Sequence, residues 1–219
     1  MLVESDDSIP EAKNVTYTYN LPCKVCHIHQ ELPGRALLLL WLHGGVSDQK
    51  LHSLKEMNHL DCTDADERIL DYLNRKGLKA IVLFPICYKA NISHCIAWRD
   101  CYDDVMQIMD NYIQQEMVDT RRIYIAGASD GGRGTWDYIE RNGAMFAAAM
   151  PMSCAQPRYV GKIPVYFFNT ASESDCRNSV ESLNARGANI RYKRCADVRH
   201  GLDSKEITDG LLDDFFSQK

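Results

Sequence analysis

Five short segments of the chain are almost entirely apolar. They are residues 36–42, 80–86, 122–127, 147–152 and 165–169. Runs of this kind are typical of strands buried on both faces of a sheet, because a half-exposed strand would alternate apolar and polar positions. A segment that does alternate, VTYTYN at 15–20, precedes them and predicts a half-buried strand. A further strand is predicted over Ile190–Cys195.

Between these segments, apolar residues three or four positions apart predict helices. Asp64 and Glu67 form a capping-box pattern at the start of a helix that Gly77 can end. A second helix is predicted over 103–117 and a third over 179–186. Because strands alternate with helices, we expect an α/β protein with a mostly parallel sheet and right-handed crossovers.

The composition is that of one globular domain. The chain has 219 residues, of which 45% are hydrophobic and 25% charged, and this length buries a core without metal or disulfide support. We expect an acidic leader over 1–14 and a single domain over 15–219 that opens with an antiparallel hairpin. The leader has no apolar stretch, so it indicates neither a secretory signal nor a transit peptide, and a cytoplasmic location is expected.

Charge and cysteine content exclude several classes of protein. The formal net charge is -5, which disfavours a nucleic-acid partner, and the longest apolar run, 36–42, is too short to span a membrane. The nine cysteines are odd in number, so we expect mostly reduced thiols. Cys23 and Cys26 lie near His27 and His29 at a spacing that suits zinc, but no second ligand pair follows, and we predict a polar loop without metal.

The most informative motif is G-x-S-x-G at 127–131, directly after a buried strand and before a helical stretch. Small residues on either side of Ser129 allow a sharp turn that lifts its hydroxyl above the sheet, which predicts a nucleophile. The alternative is a glycine-rich turn that carries a surface serine.

A second motif, His43-Gly44-Gly45, follows the strand at 36–42. An oxyanion hole takes one backbone N–H from the residue after the nucleophile, here Asp130, and one from an earlier loop. We predict Gly45 as the second donor, with Val46 as the alternative. His43 is expected to hold the loop, and His43 and Gly44 are placed at the edge of the substrate site.

On these motifs the chain resembles the α/β-hydrolase superfamily, in the group of esterases, phospholipase-carboxylesterases and predicted peptidases. The resemblance extends over residues 37–45, 118–139, 146–154 and 163–169 and the His-Gly pair at 200–201. It implies a three-layer sandwich around a mostly parallel sheet. Only SCAQPRYVGK separates two predicted strands where many relatives insert a cap, so no cap domain is expected.

The resemblance also implies a triad in the order nucleophile, acid, histidine. His200 is the only histidine after Ser129, so it is the predicted general base. Relatives usually carry His-Gly and then an aspartate after the preceding strand, whereas this chain has Asn169-Thr170. Counting forward favours Glu173 as the acid, with Asp175 as the competitor.

Together these residues predict a serine esterase that forms an acyl-enzyme and needs no cofactor. A peptidase or thioesterase with the same triad is the first alternative, and a noncatalytic binding module is the second. We expect a small-molecule or polymer-attached ester as substrate, and the sequence leaves the oligomeric state open. Trp98 precedes the helix at 103–117, where it either lines the substrate pocket or packs under a loop.

Overall fold

The computed structural model describes residues 12–14, 21, 23–45, 64–87, 97–154, 157–158, 160–195 and 204–219. Its strands are β1 (Ala12–Asn14), β2 (Cys23–Ile28), β3 (Ala36–Leu42), β4 (Ala80–Pro85), β5 (Val118–Ala128), β6 (Ala148–Met152), β7 (Pro164–Thr170) and β8 (Asn189–Cys195). Its α-helices are α1 (Asp64–Arg75), α2 (Tyr102–Gln114), α3 (Asp130–Asn142), α4 (Arg177–Ala185) and α5 (Asp209–Ser217). Short 3₁₀ helices lie at Trp98–Cys101, Gly143–Met145 and Ser204–Glu206.

These strands form one sheet in the order β1-β2-β4-β3-β5-β6-β7-β8. The strands from β4 to β8 in that order are parallel, whereas β1 and β2 are antiparallel to their neighbours. Every residue of β3 and of β4 is buried, as expected for continuous apolar strands covered on both sides. The predicted α/β class and the mostly parallel sheet are therefore confirmed.

Helices cover both faces of the sheet and create two separate cores. One core includes Val105 of α2, Trp136 of α3 and Val180 of α4. The other includes Ile69 of α1 and Leu212 of α5. Since the carboxyl ends of the parallel strands lie along one edge between these layers, the loops at that edge converge.

The N-terminal part differs from the sequence expectation. Ala12–Asn14 forms β1 and pairs with β2, so the sheet begins inside the segment expected to be a leader. The segment at 15–20 lies outside the described residues. Cys23–Ile28, expected to be a loop, is a strand paired with β4. Four of its six residues are buried and the other two partly buried, as expected for a strand covered on both faces.

This strand also separates the two thiols of the predicted loop. Cys23 packs against one core and Cys26 belongs to the other, so the two side chains lie on opposite faces of the sheet and cannot bind one ion. Burial raises the pKa of each thiol to about 12. Across the described ranges, no group of three or more His, Cys, Asp and Glu side chains is arranged to hold a metal.

The described helices are also too short or too polar to cross a bilayer.

Candidate active site

Ser129 stands at the sharp turn between β5 and α3. Its backbone has φ 57° and ψ -116°, a left-handed region that side chains with a Cβ rarely occupy, and non-glycine residues in that region cluster at functional sites. The turn is held by two backbone bonds: the Ser129 N–H donates to the Met152 carbonyl at 2.9 Å, and the Ser129 carbonyl accepts the Arg133 N–H at 3.1 Å. The side chain remains partly exposed.

Glycines around Ser129 are required by close backbone contacts. A Cβ on Gly127 would lie 2.6 Å from the Gly131 carbonyl oxygen, and a Cβ on Gly131 would overlap the Leu42 carbonyl. A Cβ on Gly132 would lie 2.8 Å from the Cβ of Cys154. The turn therefore packs against the ends of β3 and β6, and the strand–turn–helix context predicted for the motif is present.

The loop after β3 lies directly beside this turn. An added Cβ on Gly44 would stand 3.4 Å from the Ser129 Cβ, and one on Gly45 would stand 2.7 Å from Oδ2 of Asp130. The structure thus brings Gly44 and Gly45 together with Ser129 and Asp130. Val46, the alternative donor, lies outside the described residues.

His43 fixes this loop through both ring nitrogens. Nε2 accepts the backbone N–H of Cys87 at 3.0 Å, so the ring proton is assigned to Nδ1, which donates to the Gly44 carbonyl at 2.6 Å. The histidine is therefore engaged with backbone on both sides, which agrees with the expected loop-holding role rather than with a direct substrate contact.

Trp98 completes the support of the loop. Its indole N–H donates to the His43 carbonyl at 3.0 Å, and its ring meets the imidazole edge-on with centroids 4.9 Å apart. The side chain is 3% exposed and lies against Gly134 of α3. Of the two alternatives left open by the sequence, this burial favours packing under the loop, and a substrate-lining role for Trp98 is not supported.

The two candidate acids face different surroundings. Oε2 of Glu173 accepts the backbone N–H and the hydroxyl of Thr170, both at 2.7 Å. Oδ1 of Asp175 accepts the backbone N–H of Arg177 at 3.0 Å, and its Oδ2 pairs with Arg194 at 3.4 Å. The backbone bond from Arg177, followed by the charges of both arginines, lowers the pKa of the Asp175 carboxyl.

Cys154 packs against the serine turn, since its Sγ would lie 2.9 Å from a Cβ on Gly132. Burial raises the pKa of Cys154 to about 12, so this cysteine is a neutral packing residue rather than a second nucleophile. His200 lies outside the described residues.

A residue that the sequence did not single out for a role holds the acid loop. Oδ1 of Asn169 accepts the backbone N–H of Cys154 at 3.2 Å, while its Nδ2 donates to the Ser174 carbonyl at 3.2 Å and to Sγ of Cys176 at 3.4 Å. The side chain is 1% exposed. Asn169 therefore links the end of β6 to the loop that carries Glu173. The available signal was its replacement of histidine in the family pattern.

Part of the chain is similar to a known protein family. The sequence profile of the prolyl oligopeptidase family matches residues 98–156, a segment that contains Ser129 but neither Glu173 nor His200. A search of curated proteins found no match.

Three solved structures illustrate the similarity of fold. A thermostable esterase has 20% identity and a TM-score of 0.65 over 90% of this chain, which spans 59% of that protein. Est1E from Butyrivibrio proteoclasticus has 12% identity and a TM-score of 0.65 over 95% of this chain and 98% of its own, and another structure of it holds ferulic acid. The acylaminoacyl peptidase of Pyrococcus horikoshii has 12% identity and a TM-score of 0.61 over 87% of this chain and 37% of its own.

These similarities confirm the resemblance that the sequence motifs indicated. The chain shares its fold with esterases and peptidases of the α/β-hydrolase superfamily, and residues 98–156 match the prolyl oligopeptidase family.

Proposed function

We propose that the protein is a serine hydrolase that cleaves carboxylic esters through an acyl-enzyme. The observation that carries this proposal is the left-handed backbone of Ser129, directly beside the His43-Gly44-Gly45 loop. That arrangement supports Ser129 as nucleophile, with the backbone N–H groups of Asp130 and Gly45 as donors to the oxyanion.

The proposed reaction has two halves. Ser129 Oγ attacks the acyl carbon while His200 removes the hydroxyl proton and passes it to the departing alcohol. Water, activated by His200, then attacks the acyl-enzyme and releases the acid, and the proton returns to Ser129. The N-terminus of α3 points at the same centre and adds its positive end to the oxyanion site.

Glu173 is the proposed acid that orients His200. Asp175 is engaged by the N–H of Arg177 and by Arg194, just before α4 begins. The register of β7 and β8 pairs Thr170 with Cys195, so the end of β8, five residues before His200, lies beside the strand end that holds Glu173. Both carboxylates follow this strand end, and Glu173 is preferred because Asp175 is already paired with Arg194.

The expected substrate is an ester whose acyl group fits a shallow, open site. Met152 ends β6 and Pro164 begins β7, and this short connection supports an open site without a cap. Short acyl chains or an acyl group attached to a larger molecule are the substrates expected, and the ferulic acid bound to Est1E adds aromatic acids to those worth testing. No cofactor is required.

Peptide cleavage by the same residues is the second candidate. The match to the prolyl oligopeptidase family over residues 98–156 favours it, and a triad alone does not choose between ester and amide leaving groups.

Labelling with a fluorophosphonate probe tests the nucleophile. We expect the wild-type protein and Ser182→Ala, an exposed serine of α4, to be labelled and Ser129→Ala to remain unlabelled. Absence of labelling in the wild type would overturn the proposal in favour of a noncatalytic binding module, and equal labelling of Ser129→Ala would overturn the assignment of Ser129 as nucleophile. A series of chromogenic acetyl, butyryl, octanoyl and feruloyl esters beside aminopeptidase substrates then distinguishes the two activities.

A further inference from the structure

The residue after the proposed nucleophile brings a negative charge to the oxyanion site. Asp130 begins α3, and its backbone N–H is a proposed oxyanion donor. Its own carboxylate turns toward the other donor: Oδ2 lies 2.7 Å from the position of a Cβ on Gly45. One carbon–carbon bond further, the oxygen is within about 4 Å of the Gly45 Cα.

An ionised carboxylate at this place opposes the reaction. The oxyanion develops between the N–H groups of Asp130 and Gly45, and a second negative charge a few ångströms away raises the energy of that transition state. The effect is reduced by solvent because the Asp130 side chain is half exposed. The repulsion nevertheless acts on the negative charge that forms during acyl transfer. It therefore lowers the rate of the reaction and leaves the binding of an uncharged ester unchanged.

Arg133 neutralises this carboxylate. Its Nη1 donates to Oδ1 of Asp130 at 2.7 Å, and the two residues are three positions apart on the first turn of α3. The two carboxylate oxygens are thus divided: Oδ1 faces the guanidinium and Oδ2 faces Gly45. The backbone of Arg133 is tied to the same turn, because its N–H donates to the Ser129 carbonyl.

We propose that Arg133 is a positioning residue for acyl transfer, which holds the Asp130 carboxylate and balances its charge beside the oxyanion hole. This inference rests on the proposed hydrolase function. It assigns to an exposed surface arginine an effect on kcat, through Asp130, without contact with the substrate. Uncharged esters are the substrates on which the effect is measured.

A double-mutant cycle on a neutral p-nitrophenyl ester tests this inference. We expect Arg133→Gln to lower kcat by about tenfold with little change in KM, because an unpaired carboxylate then faces the oxyanion. In the Asp130→Asn background, the same Arg133→Gln change is expected to alter kcat by less than about twofold. Arg133→Lys keeps the charge and is expected to retain most of the rate.

The dependence of kcat on salt concentration distinguishes charge balancing by Arg133 from a purely structural role. Between about 20 mM and about 500 mM salt, kcat of Arg133→Gln should rise relative to the wild type, because salt screens the exposed carboxylate. The matched control is Arg121→Gln, which breaks an arginine–aspartate pair with Asp119 on β5, well before the Ser129 turn. Arg133 is 61% exposed, so these variants are expected to fold.

The outcomes separate this inference from the proposed function. An active wild type with an unchanged Arg133→Gln rate, or an equal loss of rate in the Asp130→Asn background, overturns the charge-balancing role alone. A wild type that neither hydrolyses esters nor reacts with a fluorophosphonate overturns the hydrolase function and this role with it.

Discussion

Nε2 of His43 accepts the backbone N–H of Cys87 at 3.0 Å, and this bond ties the loop after β3 to the residues that follow β4. The same imidazole donates to Gly44, so one side chain determines the position of the glycine pair. Because oxyanion donors must be held in place before the reaction, we expect the histidine to contribute to the proposed catalysis by positioning this loop.

His43→Phe is therefore expected to reduce kcat more than it raises KM. Losing one oxyanion donor outright costs about 2.7–4 kcal/mol of transition-state stabilisation, and a displaced loop loses part of that amount, so we expect a fall of about tenfold to about a hundredfold. Steady-state kinetics on a short acyl ester measure it. Trp98→Phe, which removes the bond to the His43 carbonyl and part of the buried indole ring, is expected to have a smaller effect in the same direction. A His43→Phe variant with wild-type kcat would show that the loop is held by other contacts.

Gly131→Ala is expected to destabilise the fold by about 3 kcal/mol or more, because its Cβ would overlap the Leu42 carbonyl and backbone must move. Gly210→Ala serves as the control. A Cβ at Gly210 meets nothing within 4 Å, and alanine is preferred over glycine inside a helix, so this change should stabilise by about 0.5–1 kcal/mol. Urea unfolding measures both. Equal effects of the two changes would contradict the close packing of the turn against β3.

Asn169→Ala is expected to lower both stability and kcat. The change leaves the buried Cys154 N–H without its partner, which costs about 1–3 kcal/mol, and removes one of the bonds to the Ser174 carbonyl. The loop carrying Glu173 then loses its link to β6, so kcat should fall further than stability alone explains. Measurements at a temperature where the variant is fully folded separate the two effects, with exposed Asn142→Ala as the control.

Alkaline pH is expected to destabilise the protein through its buried thiols. Burial raises the pKa of Cys23, Cys26 and Cys154 from 9.0 to about 12. Between these values the unfolded chain releases the thiol protons while the folded chain keeps them, so the unfolded state is favoured as pH rises. Each thiol lowers the free energy of unfolding by up to about 1.4 kcal/mol per pH unit in that window, and the contribution is fully present below pH 9.

Urea unfolding at pH 8 and pH 10.5 tests this sign. Cys26→Ala is expected to be less stable than the wild type at pH 8 because it leaves a cavity, yet its stability should depend less on pH. An equal pH dependence in the two proteins would contradict the assignment to this thiol.

The central part of the fold was predictable because its strands are continuous apolar runs. Segments such as 36–42 have no polar face to place in solvent, so their burial between two helical layers follows from composition alone. β1 and β2 were missed for the opposite reason. Cys23–Ile28 contains lysine, histidine and two cysteines, and its strand conformation depends on pairing with β4, a contact between residues more than fifty positions apart.

The features of the candidate site that depend on backbone conformation could be predicted from the sequence. The features that depend on hydrogen bonds between distant side chains could not. Gly127 and Gly131 specify a turn around Ser129 by the absence of Cβ atoms, which the sequence states directly. Asn169, by contrast, acquires its function from three bonds that cross between strand ends. Trp98 was ambiguous because its position is set by the His43 carbonyl, which lies 55 residues away in sequence.

The contact between α1 and α5 has a consequence for how the chain folds. Arg68 pairs with Asp209 and bonds to the Ile207 carbonyl, and Tyr72 donates to Asp213 across 141 positions of sequence. Loop-closure entropy must be overcome before such distant contacts contribute, and a high contact order slows folding. We therefore expect the core beneath α1 to close late, so that aromatic side chains such as Tyr124, which packs against Phe215, remain available for aggregation during refolding until α5 docks.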